Sequence, residues 1–231
     1  MPSNERITAN SQSLQKNFPE IYQDLFSRCA IVCSAPGNFY WSGEYIVRYG
    51  GIAIKQNLPL RNYIGIEPVS GDVVTVETAK YYIPSKRKFE DYAIASLPTT
   101  KAVIAHLKKY LNRERAGIKL HIVLEVPPGC GLASSAALVG SLATALHLYL
   151  GKLLPSPIAE RSHTPTADLF EYEEFNSVLN LAWEIETIIH GGSTKSSGAG
   201  PFCSLIGSTY PLVYIRQNPN NTNAKSPPSR K

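Results

Sequence analysis

Residues 127–135 read PPGCGLASS and separate a strand-like apolar run from a helical one. Glycines allow the backbone to approach a ligand closely, and the first turn of a helix offers free N–H groups and the positive end of its dipole. The hydroxyls of Ser134 and Ser135 would lie in that turn, within reach of a phosphate oxygen or a metal ion. The stretch therefore predicts an anion site, most simply for a nucleotide phosphate. The alternative is a plain turn before a serine-capped helix.

Two common phosphate-binding loops do not fit this stretch. A P-loop places a lysine and then a serine or threonine after its glycines, and no lysine follows Gly131. The dinucleotide fingerprint has a third glycine where this chain has Ser134, and no βαβ unit opens there. A Rossmann-type oxidoreductase is therefore disfavoured.

Glu186 and His190 form a second chemical pattern, because residues four apart share one face of a helix. Glu186 lies about 40° from Ala182 and about 60° from Ile189 around the helix, at ~100° per residue. It therefore borders the apolar stripe, where a carboxylate needs a cation or hydrogen-bond donors. The alternative is a surface Glu–His pair near a helix end.

Strands and helices must position these residues. Residues 29–37 predict a buried strand that ends at Pro36-Gly37, and residues 117–126 predict a strand that leads into the bend. Residues 134–150 predict a helix that is apolar nearly all round and hence buried. A second helix begins near Thr99, a longer one carries Glu186, and the last part of the chain predicts a loop followed by a strand. Because strands come first and helices later, the fold class is α+β.

The composition excludes several classes of protein. The chain of 231 residues has a formal charge of +5, and the tail residues Lys225, Arg230 and Lys231 supply three of these charges. A basic groove is therefore not indicated, and we expect no nucleic-acid partner. The chain has neither an apolar signal core nor a run long enough for a membrane helix, so no membrane association is expected. Four cysteines without zinc spacing favour a reducing cytoplasm.

Three stretches resemble the signatures of the GHMP kinases, the family of galactokinase, homoserine kinase, mevalonate kinase and phosphomevalonate kinase. PPGCGLASSAA is similar to the family's second signature, SAPGNFYWSGEYIVRYGGIAI to the first, and ETIIHGGSTKSSGAG to a mevalonate kinase stretch with Glu-x-x-x-His-Gly followed by Ser-Gly-x-Asp. The order and spacing of all three agree. The resemblance implies the ribosomal protein S5 domain 2-like fold over residues 29–216. We expect an N-terminal arm over 1–28, loose over 1–18, and a disordered tail over 217–231.

The resemblance also implies an activity and a set of residues. The activity is ATP- and Mg²⁺-dependent phosphorylation of a small hydroxylated metabolite, with mevalonate as first choice. The implied ATP-binding residues are Pro128, Gly129, Cys130, Gly131, Leu132, Ala133, Ser134 and Ser135. Ser135 and Glu186 would hold the magnesium ion from opposite sides. The implied substrate residues are Glu44, Tyr45, His190 and Ser197.

The sequence departs from the family pattern at two positions that carry chemistry. The usual catalytic lysine is Asn38 here, and the usual aspartate is Gly200. Phosphoryl transfer depends mostly on positioning and charge neutralisation, so the reaction can survive without that base. Lys195 could supply a positive charge, although a solvated loop lysine is the alternative. A non-catalytic ligand-binding or partner subunit is therefore a second hypothesis.

A third departure is that nothing resembles the family's C-terminal domain. Three alternatives follow: the chain is a fragment, a truncated gene product, or one half of a split enzyme, in which a homodimer or a partner chain supplies the missing domain.

Overall fold

The computed structural model describes residues 10–112, 117–153, 169, 172–192 and 196–215. The predicted tail over 217–231 and the predicted catalytic residue Lys195 lie outside these residues. The helices are α1 (Ser11–Asn17), α2 (Pro19–Arg28), α3 (Pro98–Asn112), α4 (Ser134–Tyr149), α5 (Glu173–Ile189) and α6 (Ala199–Ile206). The strands are β1 (Ile31–Ser42), β2 (Ile52–Val69), β3 (Val74–Ile83), β4 (Lys88–Asp91), β5 (Gly117–Leu124) and β6 (Leu212–Ile215). Short 3₁₀ turns occupy Ile46–Tyr49 and Ile94–Ser96.

The strands form one sheet in the order β1-β2-β5-β3-β4, and β6 pairs with the first part of β2. All pairs are antiparallel except β3 with β5, whose crossover contains α3. This arrangement confirms the predicted α+β class. Within the described residues, no helix combines the length and the apolar character needed to cross a bilayer.

The main core lies between one face of the sheet and helices α3, α4 and α5. Helix α4 packs on β1 and β2 and also contacts α5 and α6, which confirms that it is buried on most sides. Its first turn is consequently held in the centre of the domain, directly after β5 and the bend. This position brings the candidate anion site close to α5 and α6.

The N-terminal helices close the opposite face of the sheet. This corrects the expectation of a loose arm for residues 10–18, whereas residues 1–9 of that prediction lie outside the described residues. Asn10 caps α1 with its side chain, which accepts from the N–H of Ser13 at 2.8 Å. The carboxylate of Glu125, at the end of β5, accepts from Ser11 Oγ at 2.9 Å and from Tyr22 Oη at 2.7 Å. The arm therefore anchors the strand end that precedes the bend.

Strand β1 does not end at Pro36-Gly37 as predicted but continues to Ser42. It is the outer strand of the sheet order, where proline is tolerated because one side of the strand has no ladder partner. The pairing register with β2 shifts between Pro36 and Asn38, which marks a bulge. The continued strand places Asn38 and Tyr40 on the sheet instead of in a loop.

The glycine- and proline-containing segment predicted as a loop forms helix α6. Gly198 lies before this helix with φ of 78°, a left-handed conformation that suits glycine. Pro201 falls in the first turn, where a missing N–H costs little because these groups have no partner within the helix. The loop prediction was wrong because Gly and Pro were counted as breakers without regard to their position at a helix start.

Candidate functional site

A cavity of about 600 Å³ lies between the sheet and helices α3, α4 and α5. Its size falls within the range of small-molecule pockets. One end is apolar, and the other gathers the residues that the sequence indicated. The predicted residues that line it are Asn38, Glu44, Tyr45, Pro128, Gly129, Gly131, Leu132, Ala133, Ser134, Ser135, Glu186, His190 and Ser197. Cys130 is exposed and does not line the cavity.

The bend before α4 leaves the start of that helix open. Gly129 and Gly131 have φ of 75° and 71°, which only glycine adopts readily. A Cβ at either position would meet no protein atom within 4 Å, so the protein does not fill the space beside them. Ala133 precedes the helix with φ of 52°, and no side chain caps the helix. The first N–H groups of α4 therefore remain available to an anion.

Ser134 stabilises the bend through hydrogen bonds of its side chain. Its hydroxyl donates to the carbonyl of Val126 at 2.8 Å and accepts from Asn62 Nδ2 at 3.1 Å. Asn62 also donates to the Ser134 carbonyl at 2.9 Å and accepts from the Val126 N–H at 3.1 Å. The side chain of Ser134 is thus engaged in holding the bend on β2.

Ser135 differs from its neighbour. It is partly exposed, it lines the cavity, and its hydroxyl makes no hydrogen bond to any residue that the structure describes. A serine hydroxyl in this position can donate to a phosphate or coordinate a hard cation.

Glu186 is a buried carboxylate on α5 with 5% of its surface exposed. Burial raises its pKa, and the Ser196 hydroxyl, which donates to it, acts in the opposite direction. A Cβ built on Gly200 would lie 3.0 Å from Glu186 Oε1 and 2.9 Å from Ala136 Cβ. The carboxylate therefore lies beside the first turn of α4, which carries Ser135.

The described residues contain no group of three or more His, Cys, Asp or Glu side chains that could hold a metal ion by themselves. A magnesium ion bound with a nucleotide does not need such a group, since phosphate oxygens and water complete its coordination. One hydroxyl and one carboxylate, from Ser135 and Glu186, fit this requirement.

Asn38 is fully buried on β1 and is held by α6. Its Nδ2 donates to the Gly200 carbonyl at 3.2 Å and to Ser204 Oγ at 2.8 Å. Because a carbonyl can only accept, this contact fixes the orientation of the amide. Its Oδ1 is left without a partner among the described residues.

Lys55, on β2, is a cavity residue that the sequence analysis missed. It is 1% exposed, and its Nζ lies 3.3 Å from the centre of the Tyr40 ring. Burial lowers its pKa to about 8, against the influence of Cys203, Glu186 and Glu44. Lys55 lies two residues from Ala53 and therefore on the same face of the strand, but the sequence alone does not show that this face is the buried one.

The predicted substrate residues lie near the polar end of this cavity. Glu44 and Tyr45 follow the left-handed Gly43 and are exposed, and His190 follows the last residue of α5. Ser197 is buried, and its carbonyl accepts from Tyr214 Oη at 3.0 Å. Their contacts with a substrate stay a prediction.

We expect Lys55→Met to be more stable than the wild type at neutral pH by ~2 kcal/mol, because the variant removes a buried ammonium. The pKa of Lys55 falls from 10.5 to about 8 on folding, so the wild type bears the full cost below pH 8. The cost disappears as the pH rises towards 10.5. Urea denaturation of both chains across this range should show the difference shrinking. A difference that does not change with pH would contradict it. Tyr40, Glu44, Glu186 and Cys203 surround position 55 in both chains. Their own contributions to the pH dependence of stability therefore cancel in the difference between the two chains.

Comparison with known proteins identifies relatives of this chain. A sequence model described as the GHMP kinases N terminal domain matches residues 98–165. Mevalonate kinase of Homo sapiens is 28% identical over 205 residues, which cover 73% of this chain and 51% of the relative. Mevalonate kinase of Pyrococcus furiosus is 27% identical over 145 residues, covering 58% of this chain and 43% of the relative. The chain spans about half the length of the curated relatives it matches.

Solved structures share the fold. A Leishmania major mevalonate kinase in complex with R-mevalonate matches with a TM-score of 0.56 at 20% identity, over 83% of this chain and 51% of that one. Mevalonate kinase from methicillin-resistant Staphylococcus aureus matches with a TM-score of 0.53 at 21% identity, over 80% and 52% of the two chains. These likenesses confirm the predicted architecture.

Proposed function

We propose that this chain is a mevalonate-kinase-like member of the GHMP kinases, which binds Mg-ATP in the cavity and phosphorylates a small metabolite. The match of residues 98–165 to the family's N-terminal domain and the similarity to mevalonate kinases support this proposal. The acceptor is a hydroxyl, and mevalonate is the first choice because the relatives are named mevalonate kinases. The cysteines are free thiols, in keeping with the cytoplasmic location that we propose.

One observation carries this proposal: a single cavity joins the open first turn of α4 to the buried carboxylate of Glu186. The uncapped N–H groups and the dipole of α4 attract phosphate oxygens. The unengaged hydroxyl of Ser135 and the carboxylate of Glu186 would hold the magnesium ion. Bound magnesium supplies positive charge that neutralises the phosphates during transfer.

The protein residues have distinct tasks in this proposal. Gly129 and Gly131 leave room for the triphosphate to lie against the backbone, and Ser134 holds the bend in shape. Glu44, Tyr45, His190 and Ser197 are proposed to surround the acceptor. Lys195, which lies outside the described residues, stays a prediction as a source of charge. A homodimer or a partner chain with the C-terminal domain also stays a prediction.

The adjacent serines provide the test. Ser135→Ala should weaken Mg-ATP binding about 10-fold and leave stability nearly unchanged, since its hydroxyl has no hydrogen-bond partner among the described residues. Ser134→Ala should lower the free energy of unfolding by ~1–2 kcal/mol, because the buried bonds to Val126 and Asn62 are lost. Isothermal titration and urea denaturation measure the two effects. No binding of Mg-ATP by the wild type would remove the nucleotide assignment, and equal binding by Ser135→Ala would remove the role of the Ser135 hydroxyl.

A second function is favoured by Gly200, which stands where the family has an aspartate. A Cβ added at this position would lie 2.9 Å from Ala136 Cβ and 3.0 Å from Glu186 Oε1, so a larger side chain fits only if one of these neighbours moves. A chain without this base could bind ligand as a non-catalytic subunit. An ADP-release assay with mevalonate, phosphomevalonate, galactose and homoserine separates the two functions. Turnover that survives purification supports the kinase, whereas binding of Mg-ATP without turnover of any acceptor supports the subunit.

A further inference from the structure

We propose that Lys55 and Asn38 together form the site of the attacking hydroxyl, with the Lys55 ammonium donating to its oxygen and Asn38 Oδ1 accepting from its O–H. This inference rests on the proposed function and deepens it. It identifies a positive charge on β2 where the expected lysine on β1 is absent. The ligand class is an alcohol that receives a phosphoryl group.

The pairing of β1 with β2 brings the two residues together. Tyr40 is directly opposite Lys55, and Asn38 is directly opposite Asn57. Residues opposite each other in a sheet point to the same face, and so do residues two apart along one strand. Lys55 and Asn38 are therefore diagonal neighbours on one face, and both line the cavity that also contains Glu186.

Asn38 presents an acceptor that has no donor. The amide is fully buried, and both contacts of its Nδ2 are made with α6, so Oδ1 alone remains for a ligand. A buried acceptor without a partner is destabilising, and such groups in native proteins require an explanation. A substrate hydroxyl that donates to Oδ1 supplies the missing bond.

Lys55 offers a hydrogen-bond donor and a positive charge, and its ammonium forms no salt bridge with any of the described residues. Its Nζ lies over the face of the Tyr40 ring, 3.3 Å from the ring centre. An ammonium buried in this way is costly for the fold and is retained where a ligand uses it. The charged or titratable groups that face it are Glu44, Glu186 and Cys203. Since they form no salt bridge with Lys55, its ammonium can approach an oxygen that develops negative charge.

The reaction step balances without a carboxylate base. The hydroxyl oxygen forms a bond to the γ-phosphorus of ATP while the bond from that phosphorus to the β,γ-bridging oxygen breaks, and ADP leaves with the electron pair. The bond to Asn38 turns a lone pair of the hydroxyl towards the phosphorus. The proton then passes to an oxygen of the transferred phosphoryl group and on to water. Lys55 stays protonated and stabilises the charge on the attacking oxygen.

The test compares Lys55→Met with Lys108→Met, which removes an exposed lysine on α3. R-mevalonate and Mg-ATP are titrated separately into the 231-residue chain and each variant. We expect Lys55→Met to bind R-mevalonate at least ~10-fold more weakly, to turn over ~10²-fold more slowly, and to bind Mg-ATP as the wild type does. Lys108→Met should match the wild type in all three, and Lys55→Arg should recover part of the affinity.

A gain in thermal stability distinguishes this role from a structural one. Lys55→Met should melt ~4–8 °C higher than the wild type while it loses R-mevalonate binding. If it does not fold, Lys55→Gln provides the same comparison. Equal R-mevalonate affinity in wild type and variant, or no R-mevalonate binding by a wild type that binds Mg-ATP, overturns the hydroxyl site alone. A wild type that does not bind Mg-ATP overturns the proposed function itself.

Discussion

If the proposed kinase function is right, replacing Glu186 with glutamine should lower turnover of mevalonate by ~10²–10³-fold, because Glu186 is the one charged magnesium ligand proposed among the described residues. The substitution keeps the size of the side chain, and the amide oxygen can still accept from Ser196. We therefore expect the free energy of unfolding to fall by no more than ~1 kcal/mol. An ADP-release assay at saturating Mg-ATP measures the effect.

Glu184→Gln is the matched control for this variant. Glu184 lies on the same helix, but its side chain is 64% exposed and lies 3.7 Å from His106. Turnover should be unchanged, since Glu184 is exposed and does not line the cavity. Equal turnover in Glu186→Gln and the wild type would contradict the metal role of Glu186.

Restoring the family's aspartate at position 200 is expected to destabilise this protein. An added Cβ would meet Ala136 Cβ at 2.9 Å, and the new carboxylate would lie against that of Glu186. Overpacking and the burial of a second negative charge should together lower the free energy of unfolding by ~3–5 kcal/mol. Turnover should not increase, because the new carboxylate would crowd Ala136 and Glu186 at the proposed magnesium site.

Gly200→Ala separates the two causes of this loss. It adds the Cβ without the charge and should lower the free energy of unfolding by only ~1–2 kcal/mol. Urea denaturation of both variants gives the comparison. An aspartate variant with the stability of the wild type and a faster reaction would show that the position is open, and would remove the argument against a base there.

The part of the site built from local patterns was predictable from the sequence. The glycine bend, the following buried helix and the helix that carries Glu186 depend on residue types at fixed spacing, and these patterns indicate local structure directly. The structure accordingly brings Gly129, Gly131, Ser135 and Glu186 to one cavity. Their roles towards a ligand stay predictions.

The part that depends on strand register was not predictable in the same way. In the stretch from Ile52 to Lys55, the two isoleucines are exposed while Ala53 and Lys55 are buried, opposite to what their hydropathy indicates. Which face of a strand is buried depends on its partners, and a shift by one residue exchanges the faces. Lys55 was missed because the sequence alone does not show which face of this strand is buried.

The sequence also could not show which of the two serines, Ser134 or Ser135, has its hydroxyl hydrogen-bonded within the protein. Both follow the bend and have the same chemistry, so their sequence positions alone do not separate them. Asn62, more than seventy residues earlier in the chain, engages Ser134 and leaves Ser135 to the cavity. This long-range contact has no local sequence signal.

The most direct test of the central claim is a double-mutant cycle on Mg-ATP binding with Ser135→Ala, Glu186→Gln and the double variant. Two ligands of one ion should be coupled, so the double variant should bind little more weakly than either single variant, with a coupling energy of at least ~1 kcal/mol. The coupling should vanish when ATP is titrated without magnesium. Strictly additive losses, or losses that persist unchanged without magnesium, would contradict a shared ion between Ser135 and Glu186.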